Sequence, residues 1–179
     1  MPSTEDLRWL DSAARIGARG WPLSRPNPSV GAIVLRDGRV VARGWTGHGG
    51  RPHAEAVALA WAGDTARGAT LYVSLEPCAH HSERGPACAD LIAASGLARV
   101  VVGCADPDPR TADQGIARIE AAGIAVELIA NAACEESLAG YLSRTKIGRP
   151  HVTLKLALSE DGCLARPPGE SQWLTGAPA

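Results

Sequence analysis

The 179 residues carry 18 Lys and Arg against 19 Asp and Glu, a net charge of -1, and 45% of them are hydrophobic. That is enough apolar material for one ordinary domain with a core, plus a short extra piece. The balanced charge, the absence of phenylalanine and the presence of only 2 tyrosines leave no basic, aromatic-studded face for a nucleic acid.

The chain opens Met-Pro-Ser-Thr-Glu-Asp, without the basic start and apolar run of a secretory signal. No apolar stretch approaches the roughly 20 residues that span a bilayer. The expectation is a soluble, cytoplasmic protein with no membrane partner. Its cysteines are Cys78, Cys88, Cys104, Cys134 and Cys163. An odd number in a reducing compartment points to metal ligation or simple burial.

Ser3 and Asp6 have the form of a capping box, and Leu7, Leu10 and Ala14 follow at helical spacing, so a first helix is expected to end near residues 17–20. Arg25-Pro26-Asn27-Pro28 is a turn or loop. Apolar runs at 30–35 and 40–45 flank Asp37-Gly38, a strong signal for an antiparallel hairpin. Helices are then predicted at 53–62, 88–94, 116–122 and 132–143, and strands at 70–75, 99–103 and 125–129. Alternation of this kind argues for an α/β sandwich whose second half is mostly parallel. After a linker at 145–150, residues 151–158 place Val152, Leu154, Leu156 and Leu158 in alternation. They predict a half-buried strand, and the tail looks like the start of a second domain.

Chemistry concentrates in His53-Ala54-Glu55, Pro77-Cys78 and Cys88. One imidazole and two thiolates make a three-ligand zinc set with a fourth position open to water. Such a zinc lowers the pKa of water from ~15.7 to about 7. Glu55, off the metal, is placed to carry the proton. Both cysteines precede or open a predicted helix, where backbone N–H groups favour thiolate. His-x-Glu with a later Pro-Cys is a signature of zinc-dependent base deaminases, although that signature puts its second cysteine closer to the first. Here Ala79 to Ala87 intervene. Two plainer readings stand beside this one. His80 or His81 would close a structural zinc site as fourth ligand, or the cysteines would be inert and buried with His53 at the surface. Cys104, Cys134 and Cys163 lack a histidine at metal-like spacing and are expected to pack.

With those residues in place, the chain resembles the riboflavin-biosynthesis deaminase/reductase family, a branch of the cytidine-deaminase-like fold. The resemblance is carried by Pro26-Asn27-Pro28-Ser29-Val30-Gly31, Pro52-His53-Ala54-Glu55 and Leu75-Glu76-Pro77-Cys78-Ala79-His80-His81. It continues through Cys88-Ala89-Asp90, Asp106-Pro107-Asp108-Pro109, Thr153-Leu154-Lys155 and Gly169-Glu170-Ser171-Gln172-Trp173. It implies a three-layer α/β/α sandwich around a five-stranded mixed sheet. Residues 1–146 would form a zinc-dependent deaminase domain, and 147–179 a linker and the incomplete start of a reductase-like domain.

The implied substrate is a diaminopyrimidinone bearing ribosylamine 5'-phosphate, and its 2-amino group would leave as ammonia. The implied cofactor is one Zn2+ per chain on His53, Cys78 and Cys88, with Glu55 as proton shuttle. Asn27 would hold the pyrimidine edge, with Asp106 and Asp108 near the ribosyl side. Arg84 is the candidate for the phosphate, since a guanidinium fork suits its oxygens. NADPH, with Ser171 and Trp173, would enter only in a chain with a complete reductase domain. A homo-oligomer is implied, and no nucleic-acid partner. Two departures from the family pattern stand out. Ser82-Glu83-Arg84-Gly85-Pro86-Ala87 replaces a shorter segment reading Gly-Arg/Lys-Thr-Pro-Pro. Thr111-Ala112-Asp113-Gln114-Gly115 replaces Ala-Gly-Arg-Gly. Deaminases of cytosine, guanine or tRNA adenosine share His-Ala-Glu and remain an alternative, as does a binding module that keeps the fold without the chemistry.

Overall fold

The computed structural model describes residues 2–164. Helix α1 (Thr4–Gly17) starts as its sequence predicts, because the Ser3 hydroxyl accepts the Asp6 backbone N–H at 3.0 Å. Its inward face, Leu10, Ala13 and Ala14, is buried. Strands β1 (Gly31–Arg36) and β2 (Arg39–Trp45) pair antiparallel. Asp37 and Gly38 both take positive φ, 50° and 72°, the backbone that a two-residue hairpin turn of matching twist needs.

Strand β3 (Thr70–Val73) pairs antiparallel with β1 and parallel with β4 (Arg99–Val102), which pairs parallel with β5 (Ala125–Leu128). The order β2-β1-β3-β4-β5 is therefore a five-stranded mixed sheet, as expected. Leu71, Val73, Val100, Val101 and Val102 are fully buried, which is why these central strands read as unbroken apolar runs. Helices α2 (Ala54–Ala62), α3 (Cys88–Ala93) and α4 (Gln114–Ala121) contact one another in sequence. Helices α1, α5 (Ala132–Ser137) and α6 (Ala139–Ile147) form the other group. Two helical layers thus enclose the sheet.

Two expectations fail. The helix predicted at 132–143 is divided at Leu138, whose backbone sits at φ -103° and ψ 4°. Leu138, at the break, is 2% exposed and belongs to the core. Residues 151–158 form no strand. Val152, Leu154, Leu156 and Leu158 are all at least half exposed. The alternation is real, but among the described residues no strand pairs with it, and an unpaired strand cannot satisfy its backbone. Ser171 and Trp173 lie outside the described residues. No helix among the described residues is long and apolar enough to cross a membrane.

Candidate metal centre and its cleft

The parallel strands β3 and β4 end on the same side of the sheet, where ligands collect in open α/β folds. There the backbone runs from β3 through Glu76 and Pro77 to Cys78. His53 stands at the N-cap of α2, with φ -72° and ψ 159°, and Cys88 is the first residue of α3. Three segments distant in sequence are brought together. His53 Nδ1 lies 3.3 Å from Cys88 Sγ and 3.5 Å from Cys78 Sγ. The ligand atoms of the three residues all fall within 4.8 Å of one another. A tetrahedral zinc with ordinary Zn–S and Zn–N lengths sets nitrogen and sulfur about 3.5 Å apart, so the donor set fits the ion.

The electrostatics point the same way. Hydrogen bonds from Cys88 and His53 pull the Cys78 thiol well below its usual range. Cys88 is pushed up, chiefly by the Cys78 sulfur it faces and then by burial. Two thiolates side by side need a cation between them, and a divalent ion removes that conflict. Neither neighbouring histidine joins the set. His80 Nδ1 is 3.5 Å from Thr111 Oγ1, and His81 Nε2 is 3.2 Å from Asp90 Oδ2. Cys104 and Cys134 are buried as packing residues, whereas Cys163 is exposed, against expectation.

Glu55, in the first turn of α2, is 3% exposed, and burial pushes its carboxyl above the usual carboxylate range. It lines a cleft of about 310 Å³ together with His53 and Cys78. The cleft also collects all four residues proposed from sequence to meet a substrate: Asn27, Arg84, Asp106 and Asp108. Asn27 Nδ2 and Arg84 Nη2 both donate to the Gly49 carbonyl, at 3.2 and 2.9 Å. Gly50 takes φ +86°, and a Cβ there would stand 2.0 Å from Asn27 Nδ2. Only glycine lets Asn27 occupy the cleft wall.

The two aspartates differ. Asp108 is held by Arg110, whose Nε reaches its two oxygens at 3.0 and 3.1 Å, and this contact pulls its carboxyl down to about 2. Asp106 is buried, and burial pushes its carboxyl up. Its Oδ1 accepts the Tyr141 hydroxyl at 2.6 Å, and its backbone N–H donates to Glu76 Oε2 at 3.2 Å.

Sequence reasoning missed Glu76, Tyr141, Arg51, Arg110 and Arg144, all of which line the cleft. Glu76 had a signal, since a carboxylate beside Pro77-Cys78 sits next to the ligand loop. Tyr141 had none, because its partner Asp106 is 35 residues away in sequence and no local pattern announces the meeting. Arg51 spans the cysteine loop, donating to Ser82 Oγ at 3.2 Å and to the Pro86 carbonyl at 3.3 Å.

Residues 3–104 match the family described as the cytidine and deoxycytidylate deaminase zinc-binding region. The riboflavin biosynthesis protein RibD of Escherichia coli K12 is 42% identical over 176 residues, covering 98% of this chain and 48% of that protein. The structure of Acinetobacter baumannii RibD superposes with a TM-score of 0.81 at 40% identity, covering 96% of this chain and 48% of that one. The Thermotoga maritima diaminohydroxyphosphoribosylaminopyrimidine deaminase/5-amino-6-(5-phosphoribosylamino)uracil reductase superposes at 0.84 and 36% identity, covering 96% and 50%. The chain spans about half the length of the curated relatives it matches. By this match and by the cytidine-deaminase-like fold it shares with the RibD structures, the chain belongs to the cytidine and deoxycytidylate deaminase zinc-binding family, on the branch of the riboflavin-biosynthesis deaminase/reductases.

Proposed function

We propose that this chain is a zinc-dependent hydrolytic deaminase acting on 2,5-diamino-6-(5-phosphoribosylamino)pyrimidin-4(3H)-one in riboflavin biosynthesis. The observation that carries the reading is the convergence of His53 Nδ1 with the sulfurs of Cys78 and Cys88 in a cleft that Glu55 lines. Likeness to RibD proteins at about 40% identity supports the choice of substrate.

His53, Cys78 and Cys88 hold the ion, which when bound supplies a water acidified from ~15.7 to about 7. Glu55 would be the group that accepts a proton from the attacking water and hands it to the ring nitrogen beside C2. Burial raises the affinity of this carboxyl for a proton, which suits a group that takes one up and then passes it on. The water oxygen becomes the new oxygen on C2 as the C2–N bond breaks, and the second water proton leaves with the 2-amino group, so one water is consumed and one ammonia released. Asn27 holds the pyrimidine edge, Asp106 faces the ribosyl side and Arg84 receives the phosphate. Asp108, neutralised by Arg110, shapes the rim.

Residues 1–146 are the deaminase domain, and 147–179 a linker and the incomplete start of a reductase-like domain. NADPH, with Ser171 and Trp173, belongs only to a chain in which that second domain is complete. The protein is cytoplasmic and homo-oligomeric, with a small phosphorylated pyrimidine as its partner. The family match extends to cytidine and deoxycytidylate deaminases, so the test is a substrate panel with ammonia as the readout. Release from the ribosylated diaminopyrimidinone supports the proposal. Release from cytidine, deoxycytidylate or guanine alone overturns it.

A further inference from the structure

Asp106 and Asp108 sit two residues apart on one loop, yet the structure leaves only one of them a free oxygen. Arg110 covers both oxygens of Asp108. On Asp106, Oδ1 is saturated by two donors, the Tyr141 hydroxyl at 2.6 Å and the Asp108 backbone N–H at 3.0 Å. Oδ2 receives no hydrogen bond from the described residues. Among these, the buried side-chain oxygens without a partner are Ser24 Oγ and Glu76 Oε1. Asp106 Oδ2 is thus the oxygen of this pair without a protein donor, on a buried residue that lines the cleft.

Tyr141 is itself fixed. It stands on α6, one turn before Arg144, whose guanidinium lies 6.0 Å over the ring. Arg144 in turn donates to the Pro26 carbonyl at 2.9 Å, next to Asn27. The hydroxyl thus approaches Asp106 from a braced ring. A carboxylate gripped at one oxygen has lost its rotation and presents the other in a single direction, which is how a binding group is preorganised. A carboxylate oxygen left without a donor accepts a hydrogen bond and disfavours an anion, and the neutral donors that the proposed substrate offers on this side are its sugar hydroxyls.

We propose that Tyr141 is a positioning residue that aims Asp106 Oδ2 at a hydroxyl of a ribosyl group in the cleft, and that Asp108 takes no part in this recognition. The inference rests on the ribosylated substrate of the proposed function. Its test does not depend on turnover.

Ribose 5-phosphate and inorganic phosphate are titrated calorimetrically into the zinc-loaded chain and into Tyr141→Phe, Asp106→Asn and the double variant. Tyr141→Phe is expected to weaken ribose 5-phosphate about 10-fold, the scale of one hydrogen bond to a charged group. It leaves inorganic phosphate unchanged, and the double variant binds no more weakly than Asp106→Asn. Equal affinity of wild type and Tyr141→Phe, equal losses on both probes, additive losses in the double variant, or no binding of ribose 5-phosphate by the wild type each overturns the proposal. A Tyr141→Phe chain that does not fold overturns it too, because the hydroxyl would then be holding the fold. Ammonia release is measured separately on the wild type. Its absence, with the sugar selectivity intact, removes the deaminase reading and leaves this one standing.

Discussion

Arg99 on β4 reaches Asp6 on α1 through two N–H···O contacts of 2.8 and 3.1 Å. The Tyr72 hydroxyl adds a third donor at 2.9 Å, and Glu127 on β5 holds the other side of the guanidinium at 2.8 Å. Helix and sheet are thereby tied at a place where Asp6 is 5% exposed. The Arg99 guanidinium, ahead of the Ser3 and Tyr72 hydroxyls, holds the Asp6 carboxyl far below its ordinary value of 3.8. A carboxyl whose pKa is lower folded than unfolded stabilises above the unfolded value and loses that contribution as pH falls. Asp6→Asn should cost about 2–4 kcal/mol at pH 7, the range for breaking a largely buried pair. The gap between variant and wild type should narrow progressively below pH 3.8. Urea midpoints of the two proteins across pH 7 to 3 measure this directly.

Removing the charge of Glu55 separates metal holding from proton transfer. Glu55→Gln keeps the shape of a side chain that is 3% exposed and leaves the three donor atoms in place. It should retain one zinc per chain by elemental analysis while ammonia release falls at least 10²-fold, roughly the contribution of a general acid–base. Unchanged turnover would take Glu55 out of the chemistry.

Cys88→Ser and Cys78→Ser should each abolish stoichiometric zinc, since either leaves two donors of the set. An ion that binds only the folded chain stabilises it by mass action. A strong chelator should therefore lower the melting temperature of the wild type and leave that of Cys88→Ser unmoved. Scanning calorimetry with and without chelator distinguishes this from a site that holds no metal.

Gly50→Ala tests the cleft wall. The added methyl would meet Asn27 Nδ2 at 2.0 Å, at a backbone angle of φ +86°. The strain is about 1–3 kcal/mol, and the side chain that yields is Asn27. KM for the ribosylated pyrimidine should rise about 10-fold, with zinc content unchanged.

Most of this architecture is written locally. Ser3 with Asp6, Asp37 with Gly38, and the valines before Gly103 announce helix, hairpin and buried strand through capping, turn and burial, which need no distant partner. The metal set was legible because ligand chemistry limits it to a few residue types. What escaped depends on tertiary approach. Leu138 leaves helical geometry while buried in the core, and Tyr141, on the helix beyond it, meets an aspartate 35 residues away in sequence. The alternating leucines at 154, 156 and 158 misled because a period of two reports a pleat, whereas a strand also needs a neighbour. Arg110 was overlooked because its pairing with Asp108 turns an apparent acid into a neutral unit.

Glu76 stands two residues before Cys78 and accepts the Asp106 amide. That one side chain joins the segment that carries the Cys78 sulfur to the loop that carries Asp106. A ligand pulling on Asp106 therefore pulls on the frame of the sulfur donor as well. Substitutions at Glu76 should therefore be felt on both sides of the cleft, at the Cys78 loop and at Asp106.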